Sequence, residues 1–227
     1  MAIKVTSHGH ATFSLDVDGK KIVVDPFFDG NPAAQVAAAD VEADYILITH
    51  GHGDHIADAL PIAKRTGAKI IANFEIGQWF LGQGYENVHQ QHIGGGFQHE
   101  FGHIKLTIAF HGSMLPDGSN GGMPNGFLLA IGDKKIYIAG DTAVFSDMSL
   151  IGAGGLDLAI LPIGDNFTMG PNDAIQAINF LKSKNVIPCH YNTWPPIAVD
   201  VDSWKAKAKA ETAANIVILS SEQVYEL

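Results

Sequence analysis

The chain has 227 residues, 46% apolar and 17% charged, a balance that excludes a disordered or low-complexity protein. Lys plus Arg number 14 against 24 Asp plus Glu, the net charge is −10, and Arg65 is the only arginine. Nucleic acid and anionic membranes are gripped by clustered cations that clamp phosphates and release counterions, so neither is expected as a partner.

The length suits one domain over residues 1–227. The opening Met-Ala-Ile-Lys-Val-Thr lacks the layout of a signal peptide, and no apolar run reaches the roughly 18 residues that span a bilayer. With Cys189 as its single cysteine, the chain is expected in the cytoplasm.

In chain order, β-branched segments predict strands over 3–6, 12–17 and 21–24, the last two joined by the hairpin turn Asp18-Gly19-Lys20. A fully apolar strand over 45–49 leads into a helix over 55–66 that stops at Gly67. A strand over 69–72 precedes a helix over 73–82 capped by Asn73. Strands follow over 104–110, 126–131 and 135–139, the last two around Gly132-Asp133-Lys134. The rest alternates: strand 156–161, helix 171–183 opened by Pro171, strand 186–188, helix 203–214 capped by Ser203, and strands 216–219 and 223–226. Groups of strands separated by helices, with no linker, predict an α/β arrangement of two sheets covered by helices.

The chemistry concentrates after the apolar strand, in Thr49-His50-Gly51-His52-Gly53-Asp54-His55, where four metal-ligand types occupy six positions. His50 and His52 point to one side of an extended backbone, and Asp54 and His55 approach from the first turn of the next helix. Imidazole with carboxylate suits zinc, manganese or iron. Three later strands end on the same residue types: His111, Asp141 in Gly140-Asp141-Thr142, and His190. Ligands of α/β sheets gather beyond one end of the strands, so these belong to one site. Seven donors exceed what one tetrahedral ion takes, which predicts two divalent ions per chain sharing a bridging aspartate. Asp25 and Asp165 end strands at the same rim and are candidates to orient ligating imidazoles from behind, or plain turn residues.

The pattern His50-x-His52-x-Asp54-His55, His111, Gly140-Asp141-Thr142 and His190 resembles the signature of metallo-β-lactamase-fold hydrolases over nearly the whole chain. That resemblance implies a four-layer αββα sandwich of two mixed sheets flanked by helices. It assigns His50, His52 and His111 to a first metal, Asp54, His55 and His190 to a second, and Asp141 to both. Gly9-His10-Ala11-Thr12-Phe13, Val24-Asp25-Pro26-Phe27, the run from Leu161 to Pro171 and His190-Tyr191-Asn192-Thr193-Trp194 resemble the small bacterial metal-dependent hydrolase branch. That branch is similar to ascorbate-phosphate lactonase and, more distantly, to the N-acyl-phosphatidylethanolamine phospholipase D group. His10 matches its glycine-histidine motif, whereas His8 stands where that branch is apolar and is left outside the site. Nothing resembles the glutathione-holding helical domain of glyoxalase-II relatives or the inserted domain of RNA-processing ones. Flavodiiron relatives carry glutamate where this chain has His52.

The function expected is hydrolysis of a small-molecule ester, lactone or phosphodiester by a metal-bound hydroxide. Zinc is the metal expected first, with manganese, nickel and iron open, and a homo-oligomer is left open too. Asp54 would orient the nucleophile while ligating. His10 would give a hydrogen bond or proton to the oxyanion or leaving group, unless it only anchors the first strand. The alternatives are a persulfide-oxidising mononuclear iron enzyme using His50, His52, His111 and Asp141, and a non-catalytic metal-binding protein. His89, His92, His99 and His103 read as structural or surface residues, and 113–125 as a loop over the metals or an ordinary connection.

Overall fold

The computed structural model describes residues 2–227. The chain runs β1 (Ile3–Ser7), β2 (Phe13–Val17), β3 (Lys20–Val24), β4 (Tyr45–Leu47), α1 (Gly53–Ile56), α2 (Ala59–Thr66), β5 (Lys69–Asn73), α3 (Phe74–Gly82), β6 (Val88–Gln91) and β7 (Gly96–His99). It continues through β8 (Gly102–Ile108), β9 (Asn125–Ile131), β10 (Lys134–Ile138), α4 (Met148–Ile151), β11 (Leu156–Pro162), α5 (Pro171–Leu181), β12 (Ser183–Cys189), α6 (Val201–Glu211), β13 (Asn215–Ile216) and β14 (Val224–Glu226). Two seven-stranded sheets result, ordered β14-β1-β2-β3-β4-β5-β6 and β13-β12-β11-β10-β9-β8-β7. Both are mixed, and both repeat one scheme, three antiparallel pairings followed by three parallel ones.

Strand alternation explains the layers. One face of each sheet carries Phe13, Leu15, Ile22 and Leu47 or Leu106, Phe127, Leu129 and Ile160, all buried between the sheets. The outer face of the first sheet, with Ile46 and Ile70, is covered by Ile62 of α2 and by Ile76 and Phe80 of α3. The outer face of the second, with Tyr137 and Ala159, meets Ala174 and Ile178 of α5 and Trp204 of α6. Three apolar layers between four layers of elements make the αββα sandwich. Among the described residues no helix is long and apolar enough to cross a membrane.

Several local expectations need correction. The helix expected over 55–66 is interrupted at Asp58, whose carboxylate accepts from Phe28 N at 2.6 Å and Asp29 N at 3.1 Å and pins the chain to the loop after β3. Asp200, rather than Ser203, caps α6, accepting from Ser203 N at 3.0 Å. Asn73 caps α3 as expected, accepting from Ile76 N at 2.8 Å. Lys182 turns left-handed at φ 50°, ending α5 two residues before the expected 183 and letting β12 start at Ser183. The strand expected over 104–110 ends at Ile108, because Ala109 N turns to Pro124 O and Phe110 N to the Thr142 hydroxyl. Val-His-Gln-Gln of β6 and Gly-Phe-Gln-His of β7 carry no apolar alternation, and their places are held by backbone pairing with β5 and β8.

Candidate metal centre

β1 and β3 run in one sense within the first sheet, as β8 and β10 do within the second, since each pair is separated by one antiparallel neighbour. The segments leaving β3, β4, β8, β10 and β12 deliver Asp25, the His50–His55 motif, His111, Asp141 and His190 to one rim. The sandwich thus converts residues remote in sequence into one cluster.

His50, His52 and His111 bring one ring nitrogen each within 4.8 Å of one another. His52 Nδ1 lies 3.1 Å from His50 Nε2 and 3.2 Å from His111 Nε2. The hydroxyl of Thr49 donates to Asp25 Oδ2 at 2.6 Å, so its contact of 3.0 Å with His50 Nδ1 is one in which the imidazole donates. His50 Nε2 is thereby left as a lone pair. Three converging ring nitrogens cannot all be satisfied by hydrogen bonds among themselves, because one neutral imidazole nitrogen has one proton to give.

Asp54, His55, His190 and His10 form the second group, again within 4.8 Å. His55 donates Nδ1–H to Asp25 Oδ2 at 2.8 Å, and Asp25 also accepts from Thr49 N at 2.8 Å. Between the groups stands Asp141. Its Oδ2 lies 3.9 Å from His50 Nε2 and 3.5 Å from His111 Nε2 on one side, and 3.4 Å from His55 Nε2 and 3.1 Å from His190 Nε2 on the other. Gly140 makes that approach with φ 63°, a left-handed turn that carries Asp141 inward from β10.

Electrostatics separates the groups. Burial holds His50 well below the ordinary histidine range, and lowers His52 and His111 as well. Burial also opposes protonation of His55 and His190, yet Asp141 outweighs it, raising His55 strongly with help from Asp25 and His190 to about 9. Burial pushes Asp141 and Asp54 up, but the facing imidazoles win and hold both carboxyls well below the carboxylate range. In the metal-free protein, protons on His55 and His190 therefore balance Asp54 and Asp141. His55 Nε2 and Asp141 Oδ1 are buried with no hydrogen-bond partner among the described residues, a loss worth about 1–3 kcal/mol each for isolated groups. Such inward-facing orphan donors, with imidazole and carboxylate and no thiolate among them, fit divalent cations.

The other candidates divide. Asp25 is buried behind His55, as an orienting residue must be. Asp165 corrects the expectation placed on it: the chain turns left-handed at Asp165 and Asn166, the carboxylate is exposed, and it accepts from Asn166 N at 2.8 Å instead of touching an imidazole. His10 is buried, gives Nε2 to Asp54 Oδ2 at 3.0 Å and meets Thr193 Oγ1 with Nδ1 at 2.8 Å. Burial lowers it to about 4, so at neutral pH the uncharged ring donates from Nε2 and accepts from Thr193. It stands behind Asp54 instead of lining the cavity of about 650 Å3 that opens before His52, Asp54, His111 and Asp141. His8 is held outside by Glu222 and Ser14. His89 and His99 pack 4.8 Å apart on the edge strands β6 and β7.

Thr49 and Thr193 were not singled out in the sequence. Each lies within a stretch that carries a ligand, which is the one signal available. The loop 113–125 is tied down: Ser113 Oγ accepts from Gly51 N at 3.1 Å, and Asn73 donates to Gly121 O and Met123 O. It buttresses the His50–His55 segment.

The model of the Beta-lactamase superfamily domain matches residues 20–191. The chain belongs to this superfamily. Within it, a UPF0173 metal-dependent hydrolase of Bacillus cereus (strain B4264) is 44% identical over 228 residues, 98% of this chain and 99% of that protein. Family membership therefore extends to the metal-dependent hydrolases of that group. Igni18, a metallo hydrolase from the archaeon Ignicoccus hospitalis KIN4/I, superposes with a TM-score of 0.92 at 33% identity, covering 100% of this chain and 99% of that one. A putative metal-dependent hydrolase from Parabacteroides distasonis ATCC 8503 gives a TM-score of 0.76 at 25% identity, over 96% of this chain and 93% of that one.

Proposed function

We propose that this superfamily member is a binuclear hydrolase that cleaves a small ester, lactone or phosphodiester. The observation that carries the reading is Asp141 Oδ2, within 3.9 Å of two imidazoles from each group. His50, His52 and His111 would hold one ion, Asp54, His55 and His190 the other, with Asp141 shared. A mononuclear iron oxidoreductase would employ only the first group and Asp141, leaving the buried second group without a task.

Divalent ions held there would supply Lewis acidity, polarising a carbonyl or phosphoryl oxygen and bringing the pKa of water towards ~7. Hydrolysis of an ester then consumes one water: its oxygen bonds the acyl carbon, the C–O bond to the alcohol breaks, and the leaving oxygen takes a proton. Asp54, half-buried at the cavity, accepts a hydrogen bond from the water and so orients it, and the proton the water gives up passes to the leaving oxygen. His10 acts through Asp54, fixing that carboxylate by the Nε2 hydrogen bond while Thr193 sets the ring. His10 is thus a positioning residue.

Elemental analysis of protein purified without chelator or affinity metal tests the reading. About two ions of zinc, manganese or nickel per chain support it when Asp141→Ala loses both metal and turnover of esters, lactones or phosphodiesters. One iron per chain, with oxygen uptake on persulfide, overturns it.

A further inference from the structure

Beyond the ligands, the cavity is lined by Phe167, Trp194 and Pro196. Trp194 is anchored: its ring centroid lies 4.8 Å from His10 and 6.2 Å from Phe27, so it forms a fixed wall beside the second group of ligands. Phe167 is 56% exposed, and it is lifted there by left-handed turns at Asp165 (φ 60°) and Asn166 (φ 53°), with Asp165 N closing the loop on Met169 O at 3.3 Å. Backbone in that region is costly for residues other than glycine, and the product of the turn is a large apolar ring standing in water at the cavity.

Charge narrows the matter further. Of the 14 Lys and Arg, none lines the cavity, whose only ionised side chains among the described residues, outside the histidines, are Asp54 and Asp141. Bound ions attract negative charge at the reacting atoms alone. A phosphate or carboxylate elsewhere on the substrate would enter facing aromatic rings, without the guanidinium or ammonium that such groups require.

We propose that the substrate is a neutral ester or lactone bearing an aromatic group, which seats against Phe167 and Trp194 while the scissile carbonyl faces the metal ligands. The inference rests on the metallo-hydrolase reading above. Phe167 and Trp194 set specificity: they bury the part of the substrate that does not react, and the absence of a remote cation rejects phosphorylated analogues.

Hydroxamates separate the two claims, since a common metal-binding head can carry different tails. Binding of acetohydroxamate, phenylacetohydroxamate and phosphonoacetohydroxamate to the metal-loaded protein is measured by calorimetry. Phenylacetohydroxamate is expected to bind about tenfold more tightly than acetohydroxamate, about 1.4 kcal/mol, and phosphonoacetohydroxamate no more tightly than acetohydroxamate. Phe167→Ala, at an exposed position that folding does not depend on, should bring the phenyl-to-methyl affinity ratio to about one, and Trp194→Ala should do the same. Equal affinities for phenyl and methyl tails, a preference for the phosphonate, or a ratio unmoved by Phe167→Ala overturns the inference and leaves the hydrolase reading standing. Failure of all three to bind overturns the metal-centre reading and the inference together.

Discussion

His55 gives its Nδ1 proton to Asp25 at 2.8 Å, and its other nitrogen, Nε2, faces Asp141 Oδ2 at 3.4 Å with no hydrogen-bond partner. One carboxylate thus decides which nitrogen of His55 is turned toward the other ligands. Asp25→Asn removes the charge that fixes this tautomer and leaves the amide facing two donors from Thr49. Metal affinity is expected to fall about 10–100-fold, as for other residues that orient a ligand from behind. Competition against a fluorescent chelator measures it, and affinity equal to the unaltered protein would dismiss the orienting role.

Metal uptake should depend on pH with a definite sign. Asp141 raises His190 to about 9 against the effect of burial, so binding at neutral pH must displace its proton. Apparent affinity should climb with pH up to about 9, with protons released, and calorimetry in buffers of different ionisation enthalpy reads both. The same shift stabilises the metal-free fold fully below the unfolded value of 6.5 and is lost as pH rises through about 9. Raising the pH therefore favours the loaded protein while removing this contribution from the empty one.

His10→Ala takes away the only hydrogen bond to Asp54 Oδ2 among the described residues, at 3.0 Å. The ion assigned to Asp54, His55 and His190 should be held about 10–100-fold more weakly, while the ion at His50, His52 and His111 is unaffected. Stepwise titration with cobalt, followed by visible absorption, distinguishes the two sites. Equal weakening of both would show that His10 supports the rim in general instead of one carboxylate.

A methyl group at Gly140 would stand 2.9 Å from Thr49 Cβ and 3.0 Å from Asn125 O, on a backbone with φ 63°. Gly140→Ala is therefore expected to cost more than about 1 kcal/mol of stability and to swing Asp141 away from both groups. Thermal unfolding together with metal stoichiometry checks it. Gly82→Ala is the control, since a methyl group there meets nothing within 4 Å.

Much of the centre is legible in one dimension. His50, His52, Asp54 and His55 are local, and a chelating spacing needs no knowledge of the fold. The apolar runs of β4, β10, β11 and β12 likewise announce buried strands, because burial on both faces demands continuous hydrophobicity. His111, Asp141 and His190 could be joined to the first motif because parallel strands deliver their ends to one rim. The polar edge strands β6 and β7 left no such trace.

Tertiary structure alone decided the orientation of side chains that meet across long separations. The ring of His10 meets Asp54 across 44 residues and Thr193 across 183, which turns a glycine-histidine motif into a support behind a carboxylate. Asp25 and Asp165 look alike in sequence, each at a strand end beside a turn residue. Both turn left-handed, at φ 47° and φ 60°, yet packing buries the first against His55 and Thr49 and leaves the second in solvent. The physical reason is the same in both cases. Side-chain type and spacing determine which chemistry the chain can perform, but a hydrogen bond depends on angles and distances that only the docking of two sheets sets.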